Sequence, residues 1–250
     1  MKKNFSYKLN IFLFLLPALI LFIGVLIAPI FMSLSYSFTE WNGLKDPIFI
    51  GLDNYKELFT SKSINIMRAL KNSLLLAGLS VFIQLTFALW LALKLGKKPV
   101  GERAYLSIFF MPVLISTVVI GQLWLKIYNP DYGVLNLALK SLGLESWTRI
   151  WLGDKKTVLW ACFVPILWQY VGYHMLLMYG ALKSIPTDII EAATVDGASG
   201  PRMALQIQIP MIKPMLKVCL SFSLIGSFKL FDTPWILLER ANKQLPALSM

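Results

Sequence analysis

Charge is what this sequence has least of. Only 15% of its 250 residues are charged, against about 25% in a typical soluble domain. The hydrophobic share is 57% and the mean hydropathy is +0.65. Length alone would allow one or two soluble domains, but the few charges are gathered between long neutral stretches, and that excludes them. Histidine occurs once, at His174, and cysteine twice, at Cys162 and Cys219. None of these has metal-ligand spacing, so no metal site is expected, and two cysteines inside apolar runs say nothing of a redox compartment. The phosphate-cradling pattern G-x-x-x-x-G-K-[ST] is absent. Gly96-Lys97 lacks both the earlier glycine and the following hydroxyl. Apolar and polar residues do not alternate with period two, which excludes a β-barrel. No cofactor and no catalytic residue are expected.

What is present is a set of neutral runs, at residues 9–39, 72–93, 104–125 and 157–182. Each exceeds the ~18–20 residues that cross a hydrocarbon core of roughly 30 Å. A fifth run, 218–238, is interrupted by Lys229 and Asp232. The reading is an all-α, polytopic membrane protein with five transmembrane helices, forming one domain over residues 1–250. The opening "MKKNFSYKLN" resembles the start of a signal peptide, but the apolar run after it is too long for one and "LIAPIF" offers no good cleavage site. The first span is therefore expected to be retained. Pro17, Pro29, Pro112 and Pro165 fall inside spans and are expected to kink them.

A net charge of +11 would suggest nucleic acid in a soluble protein. Here Lys and Arg lie mainly at the ends of spans, so no nucleic-acid partner is expected, only membrane lipid. Lys2, Lys3 and Lys8 crowd the N-terminus, and Lys94, Lys97, Lys98 and Arg103 crowd one short loop. The connections 40–71 and 126–156 are longer and less basic. The positive-inside rule then places the N-terminus, the 94–103 loop and residues 183–214 in the cytoplasm. In the 40–71 connection, Asn-Gly and Gly-Leu-Asp signal turns before a short amphipathic helix. In the 126–156 connection, Trp147 and Trp151 suit a helix lying flat at the headgroups.

The segment "SIPTDIIEAATVDGASGPRMALQIQIPMIKP" interrupts the apolar chain. Thr187 can cap a short helix that has acids in its first turn. Gly197 stands where a left-handed residue ends a helix without a Cβ clash. Ser199 can cap a second short helix with Pro201 in its first turn. Pro210 and Pro214 turn the chain into the fifth span. The product is a helix–Gly bend–helix at 183–214, either a plain connector or a docking element for another protein.

"EAATVDGA" followed by Ile207, Pro210 and Pro214 resembles the EAA loop of permease subunits in bacterial ATP-binding-cassette importers. Further similarities run along the chain at "LLPALILF", "SYSFTEW", "GLDNYKELF", "IFFMPVLIS", "GVLNLAL" and "MYGALKSIP". Together they look like the carbohydrate subfamily of maltose-F and glycerol-3-phosphate-A type permeases. The resemblance implies a multi-pass protein of the bacterial cell (inner) membrane that is not itself an enzyme. It implies a homologous second permease, two cytoplasmic ATPase subunits and an extracellular solute-binding protein as partners, and a sugar or oligosaccharide as solute. It also implies that Glu191, Ala192, Ala193, Asp196, Gly197, Ala198 and Pro210 couple the loop to the ATPases.

Sugar is bound by stacking and hydrogen bonds, which makes Trp168, Gln169, Tyr170 and Tyr173 on the fourth span candidates for the substrate path. Ser223 and Ser227 on the fifth share a face and join them. Each of these side chains can equally be packing. Lys229 and Asp232, at i and i+3, can pair on one helix face; they read either as part of a pathway or gate, or as a structural pair. His174 reads as a helix–helix hydrogen bond more readily than as a catalyst. The family pattern continues with a sixth core span after "LFDTPWILL", where this sequence has "ERANKQLPALSM". On the sequence alone the chain is expected to be incomplete at that end, with its C-terminus outside. An ion-coupled secondary transporter and a non-transporting membrane scaffold are the alternatives; the first would need an ionisable relay and paired broken helices.

Overall fold

The computed structural model describes residues 2–44, 46–60, 66–97 and 99–244, with the backbone alone for 2–6, 8 and 240–244. Lys98 and residues 245–250, the end of the chain on which the sixth-span expectation turns, lie outside the described residues. The chain divides into two compact units, residues 1–70 and 71–250.

In the first unit, α1 (Leu9–Tyr36) is a membrane-length helix. A π turn at Ile23–Ile27 interrupts its hydrogen bonding just before Pro29, which enters the first turn of the segment that follows. A proline there lacks only a donor that the disturbed ladder leaves free. No side chain described in α1 is buried. A helix apolar on every side is stable only in lipid or against another apolar surface. Beyond it, β1 (Thr39–Glu40) and β2 (Ile48–Phe49) pair antiparallel, and α2 (Asp53–Thr60) folds back on the hairpin. Asn54 Nδ2 donates to the carbonyls of Ser37 and Thr39, 3.0 Å each, and Ser37 Oγ and Tyr55 Oη share a 2.7 Å hydrogen bond. The turn signals and the amphipathic helix are where the sequence puts them.

The second unit is built around one helix. The helix α3 (Ile66–Leu95), which lies in this unit from Lys71 on, starts before the neutral run, with Arg68 and Lys71 inside it, and carries a π turn at Ser80–Gln84. Its second half packs along α7 (Val158–Lys183), which stays helical through the buried Pro165. Ala88 and Ala92 are fully buried in that contact, where small side chains let backbones approach. One apolar core joins Leu91, Leu95, Met175, Met178, Leu182 and Ile212. A second, near the other end of α7, joins Leu76, Leu125, Tyr128, Cys162, Phe163 and Leu237.

The third neutral run is not one straight helix. It splits into α4 (Glu102–Leu114) and α5 (Thr117–Ile127), which meet at 99°. Ile115 leaves the helix with an extended backbone, and Ser116 Oγ accepts from Val118 N to start the next one. The fifth run is broken too, into α10 (Lys213–Lys229) and α11 (Asp232–Gln244), with Leu230 extended between them. Among the described residues four helices are long and apolar enough to span, with Lys213–Glu239 taken as one; the bent pair makes a fifth if it counts as one span. Gly121 on α5 lies so close to α11 that a Cβ would fall 2.5 Å from Ile236 Cγ2.

The two tryptophans of the 126–156 connection do not stand on an α-helix. The connection's helix is α6 (Val134–Ser141), Trp147 lies exposed in a single 3-10 turn, and Trp151 lies outside any helix. The segment folds on the buried Asn136, whose amide donates to the Pro130 and Arg149 carbonyls and accepts from Trp151 Nε1 at 2.8 Å.

Candidate coupling site and substrate path

Residues 183–214 form the helix–Gly bend–helix. The first helix, α8 (Thr187–Val195), begins after Pro186, whose extended backbone occupies the cap position. Thr187 is not the cap: it stands inside the helix, and its hydroxyl reaches only Asp188 Oδ1, at 3.5 Å. A proline fixes the entry backbone by its ring and needs no hydroxyl to do so. Asp188 in the first turn complements the helix dipole.

The end of α8 is closed by two reversed backbone bonds. Ala198 N donates to Ala193 O at 2.8 Å and Gly197 N to Thr194 O at 3.0 Å, the paired 6→1 and 5→2 pattern of a Schellman motif. This requires a left-handed residue after the cap, and Gly197 has φ +83. The two positions that usually make the motif's apolar contact are Ala193 and Ala198, both buried within an otherwise exposed loop. The alanines thus serve the loop's own turn first.

Ser199 does precede the second helix, α9 (200–211), but only its carbonyl takes part: Arg202 N donates to Ser199 O at 3.1 Å and the hydroxyl makes no cap bond. Pro201 sits in the first turn, a π turn spans Ala204–Gln208, and Pro210 and Pro214 open the last two helical pieces. Between α8 and α9 lies an open cleft of about 520 Å³, lined by Asp188, Ala192, Asp196, Arg202 and Gln206 among others. Glu191 is exposed on α8, and among the described residues it has no ion pair. Glu191, Asp188 and Asp196 therefore give this loop three exposed carboxylates.

The proposed path residues separate into two groups. Gln169 is 3% exposed and its Oε1 has no hydrogen-bond partner among the described residues. Tyr173 is half-buried, with its ring 6.2 Å from that of Phe222 on α10. Beside Phe222, Ser223 and Ser227 are buried; Ser227 Oγ donates to Ser223 O at 2.8 Å, while Ser223 Oγ has no partner. Trp168 and Tyr170 lie on the flanks of α7 and are each about two-fifths exposed, at 41% and 38%, Trp168 meeting Trp124 edge-on at 5.8 Å. The i, i+4 spacing of Gln169 and Tyr173 points them one way; their sequence neighbours necessarily point elsewhere. His174 is buried, and its Nδ1 makes no helix–helix hydrogen bond.

Lys229 and Asp232 do not pair. The helix ends between them, and both are exposed. Loss of helical geometry at Leu230 and Phe231 removes the i, i+3 neighbourhood. Each charge instead sits at the helix end that favours it, the lysine in the last turn of α10 and the aspartate in the first turn of α11.

Other polar positions were not legible in the sequence. Gln84, on the π turn of α3, is buried and donates to Leu167 O on α7 at 2.8 Å while accepting from Ser80. Glu102, the only acid in the basic 94–103 loop, meets Lys183 and Tyr179 at the end of α7. An acid among lysines was the available signal for Glu102. Gln84 had none beyond its polarity in an apolar run.

Residues 84–241 match the family model described as "Binding-protein-dependent transport system inner membrane component". The "Probable ABC transporter permease protein YurN" of Bacillus subtilis (strain 168) is 38% identical over 233 residues, covering 92% of this chain and 79% of that protein. The "Probable starch degradation products transport system permease protein AmyD" of Thermoanaerobacterium thermosulfurigenes is 30% identical over 230 residues, covering 92% and 77%. Among solved structures, a chain of a bacterial ABC transporter involved in the import of the acidic polysaccharide alginate superposes with a TM-score of 0.75 at 24% identity, covering 99% of this chain and 88% of that one. At that identity the likeness is one of fold.

Proposed function

The chain belongs to the family of binding-protein-dependent transport system inner membrane components, and on that premise we propose that it is the membrane-spanning subunit of an ATP-driven importer for a sugar or oligosaccharide. It is a multi-pass membrane protein and a transport permease. The observation that carries the mechanism is the loop at 183–214: a rigid bend, closed by two reversed hydrogen bonds at Gly197, presenting exposed carboxylates on a short helix between two spans. We assign the N-terminus and this loop to the cytoplasm. There Glu191 would ion-pair with a basic residue in a cleft of an ATPase subunit, with Ala192, Asp196 and Pro210 in the contact.

A rigid element joining two spans turns differential binding of its partner into a shift between two arrangements of those spans, which is what coupling requires. The partners are two ATPase subunits, a homologous second permease and an extracellular solute-binding protein. A sugar is supported by the similarity to AmyD, a probable permease of a starch degradation products transport system, and by the chemistry of the α7–α10 face. Tyr173 offers a ring, and Gln169 and Ser223 offer buried polar atoms whose bonds are unmet among the described residues. A buried group without a partner costs about 1–3 kcal/mol, and a hydroxyl-rich solute or a facing subunit would recover it.

Uptake into vesicles holding the complete complex tests the reading. Accumulation of a labelled oligosaccharide should stop on ATP depletion and survive an uncoupler. Uptake that survives ATP depletion but collapses with the uncoupler would instead identify an ion-coupled transporter.

A further inference from the structure

Three side chains at one end of α7 form a contact that the importer reading does not use. Glu102 opens α4 directly after Gly101, which has φ +84. Its Oε1 lies 3.2 Å from Lys183 Nζ and accepts a hydrogen bond from the hydroxyl of Tyr179. Lys183 Nζ also stands 5.1 Å over the Tyr179 ring. Tyr179 and Lys183 are one turn apart, so the carboxylate is held from two levels of the same helix face. The side chains are only partly exposed, 32% for Lys183 and 23% for Glu102. Both charges also complement the helix ends on which they sit.

The place of this contact matters more than its strength. Lys183 is the last residue of α7, and α8 begins at Thr187. Eleven residues up α7, or about 16 Å, Gly172 forms a second contact with α4. There the backbones are so close that a Cβ would stand 1.8 Å from Phe109 O. Two fixed points at different heights make α4 and α7 move together. Beyond Ser116 the chain continues at 99° into α5, which carries Trp124 against Trp168. A displacement of α8 would therefore carry α4 with α7, provided the lower point holds. Without Glu102, α7 could tilt about the Gly172 contact and leave α4 behind.

We propose that Glu102, Tyr179 and Lys183 form a clasp that transmits movement of the 183–214 loop into α4, as positioning residues that set how much solute is moved per ATP. This rests on the importer reading. The experiment uses the complete complex with its ATPase subunits and binding protein, in vesicles, measuring uptake and ATP hydrolysis on one preparation. Glu102→Gln and Lys183→Met should assemble in normal yield and still hydrolyse ATP, but solute moved per ATP should fall by about three- to tenfold, within the range that coupling networks support. The charge-exchanged pair Glu102→Lys with Lys183→Glu should recover much of the ratio. A merely structural contact would lower yield or melting temperature and leave the ratio alone. Where a charge variant fails to assemble, Tyr179→Phe is decisive by the same ratio, since it removes one hydroxyl and keeps the ring. An unchanged ratio in assembled single variants would overturn the clasp while the importer reading stands. No ATP-driven uptake by the parent complex would overturn both.

Discussion

A Cβ placed on Gly197 would meet nothing within 4 Å, so its backbone, at φ +83, is the whole reason for glycine there. Gly197→Val should cost on the order of 1–3 kcal/mol in strain and misalign α8 against α9 without disturbing the spans. The protein should insert normally, transport poorly and retain less of its ATPase subunits on purification. Glu191→Lys should do the same by electrostatics, because like charges brought together at a docking cleft cost several kcal/mol. Ser199→Ala is the informative contrast: a capping serine would lose about 1 kcal/mol, but this hydroxyl caps nothing, so uptake and complex yield should match the parent. If all three variants transport like the parent, the loop is a connector. Gly172 is the opposite kind of glycine, held by space. Gly172→Ala should cost about 3 kcal/mol or more through overpacking against Phe109, read as a lower melting temperature in detergent with the loop intact.

The elements are most distinctive where spans break. Lys229 and Asp232 look like an ion pair by spacing, yet the helix ends between them and each serves its own terminus. A double-mutant cycle separates these descriptions. Lys229→Met and Asp232→Asn should be additive in thermal stability within about 0.3–0.5 kcal/mol, as unlinked sites are. A coupling of 1 kcal/mol or more would restore the pair. At the elbow between α4 and α5 Ile115 is extended and Val118 N donates to Ser116 Oγ at 3.3 Å. The elbow directs Trp124 and Tyr128 toward α7 and the 126–156 cap.

For the whole molecule the controlling quantity is which ends of the spans share a side of the membrane. With basic loops inside, a reporter at Lys97 or Ser199 should be shielded from an impermeant label in intact cells, and one at Asn54 or Ser146 should react. Labelling of Ser199 would defeat both the topology and the coupling proposal. Because no phosphate loop occurs in the sequence, the purified chain alone should neither bind nor hydrolyse ATP. Turnover by a preparation proven free of ATPase subunits would remove the importer reading.

What the sequence determined by itself follows from free energies that are local and additive. A run of neutral residues must be helical to satisfy its backbone in lipid, so all five neutral runs were legible from residue types alone. The same holds for Gly197, whose backbone conformation is a property of one residue and its two neighbours, and for the helix of Asp53–Thr60 after its Gly-Leu-Asp turn. Tertiary structure decided whatever depends on two distant segments meeting. Pro112 marks the third span for a kink, but its own position stays helical, and nothing in the apolar letters puts a 99° break at Ile115 and Ser116. Spacing placed Lys229 beside Asp232 only for as long as the helix continued. Glu102 finds Lys183 across 81 residues, and Gly172 yields its side chain to a carbonyl on another helix. Such contacts exist only once α3, α4 and α10 have packed around α7, and packing of that kind depends on shape rather than composition.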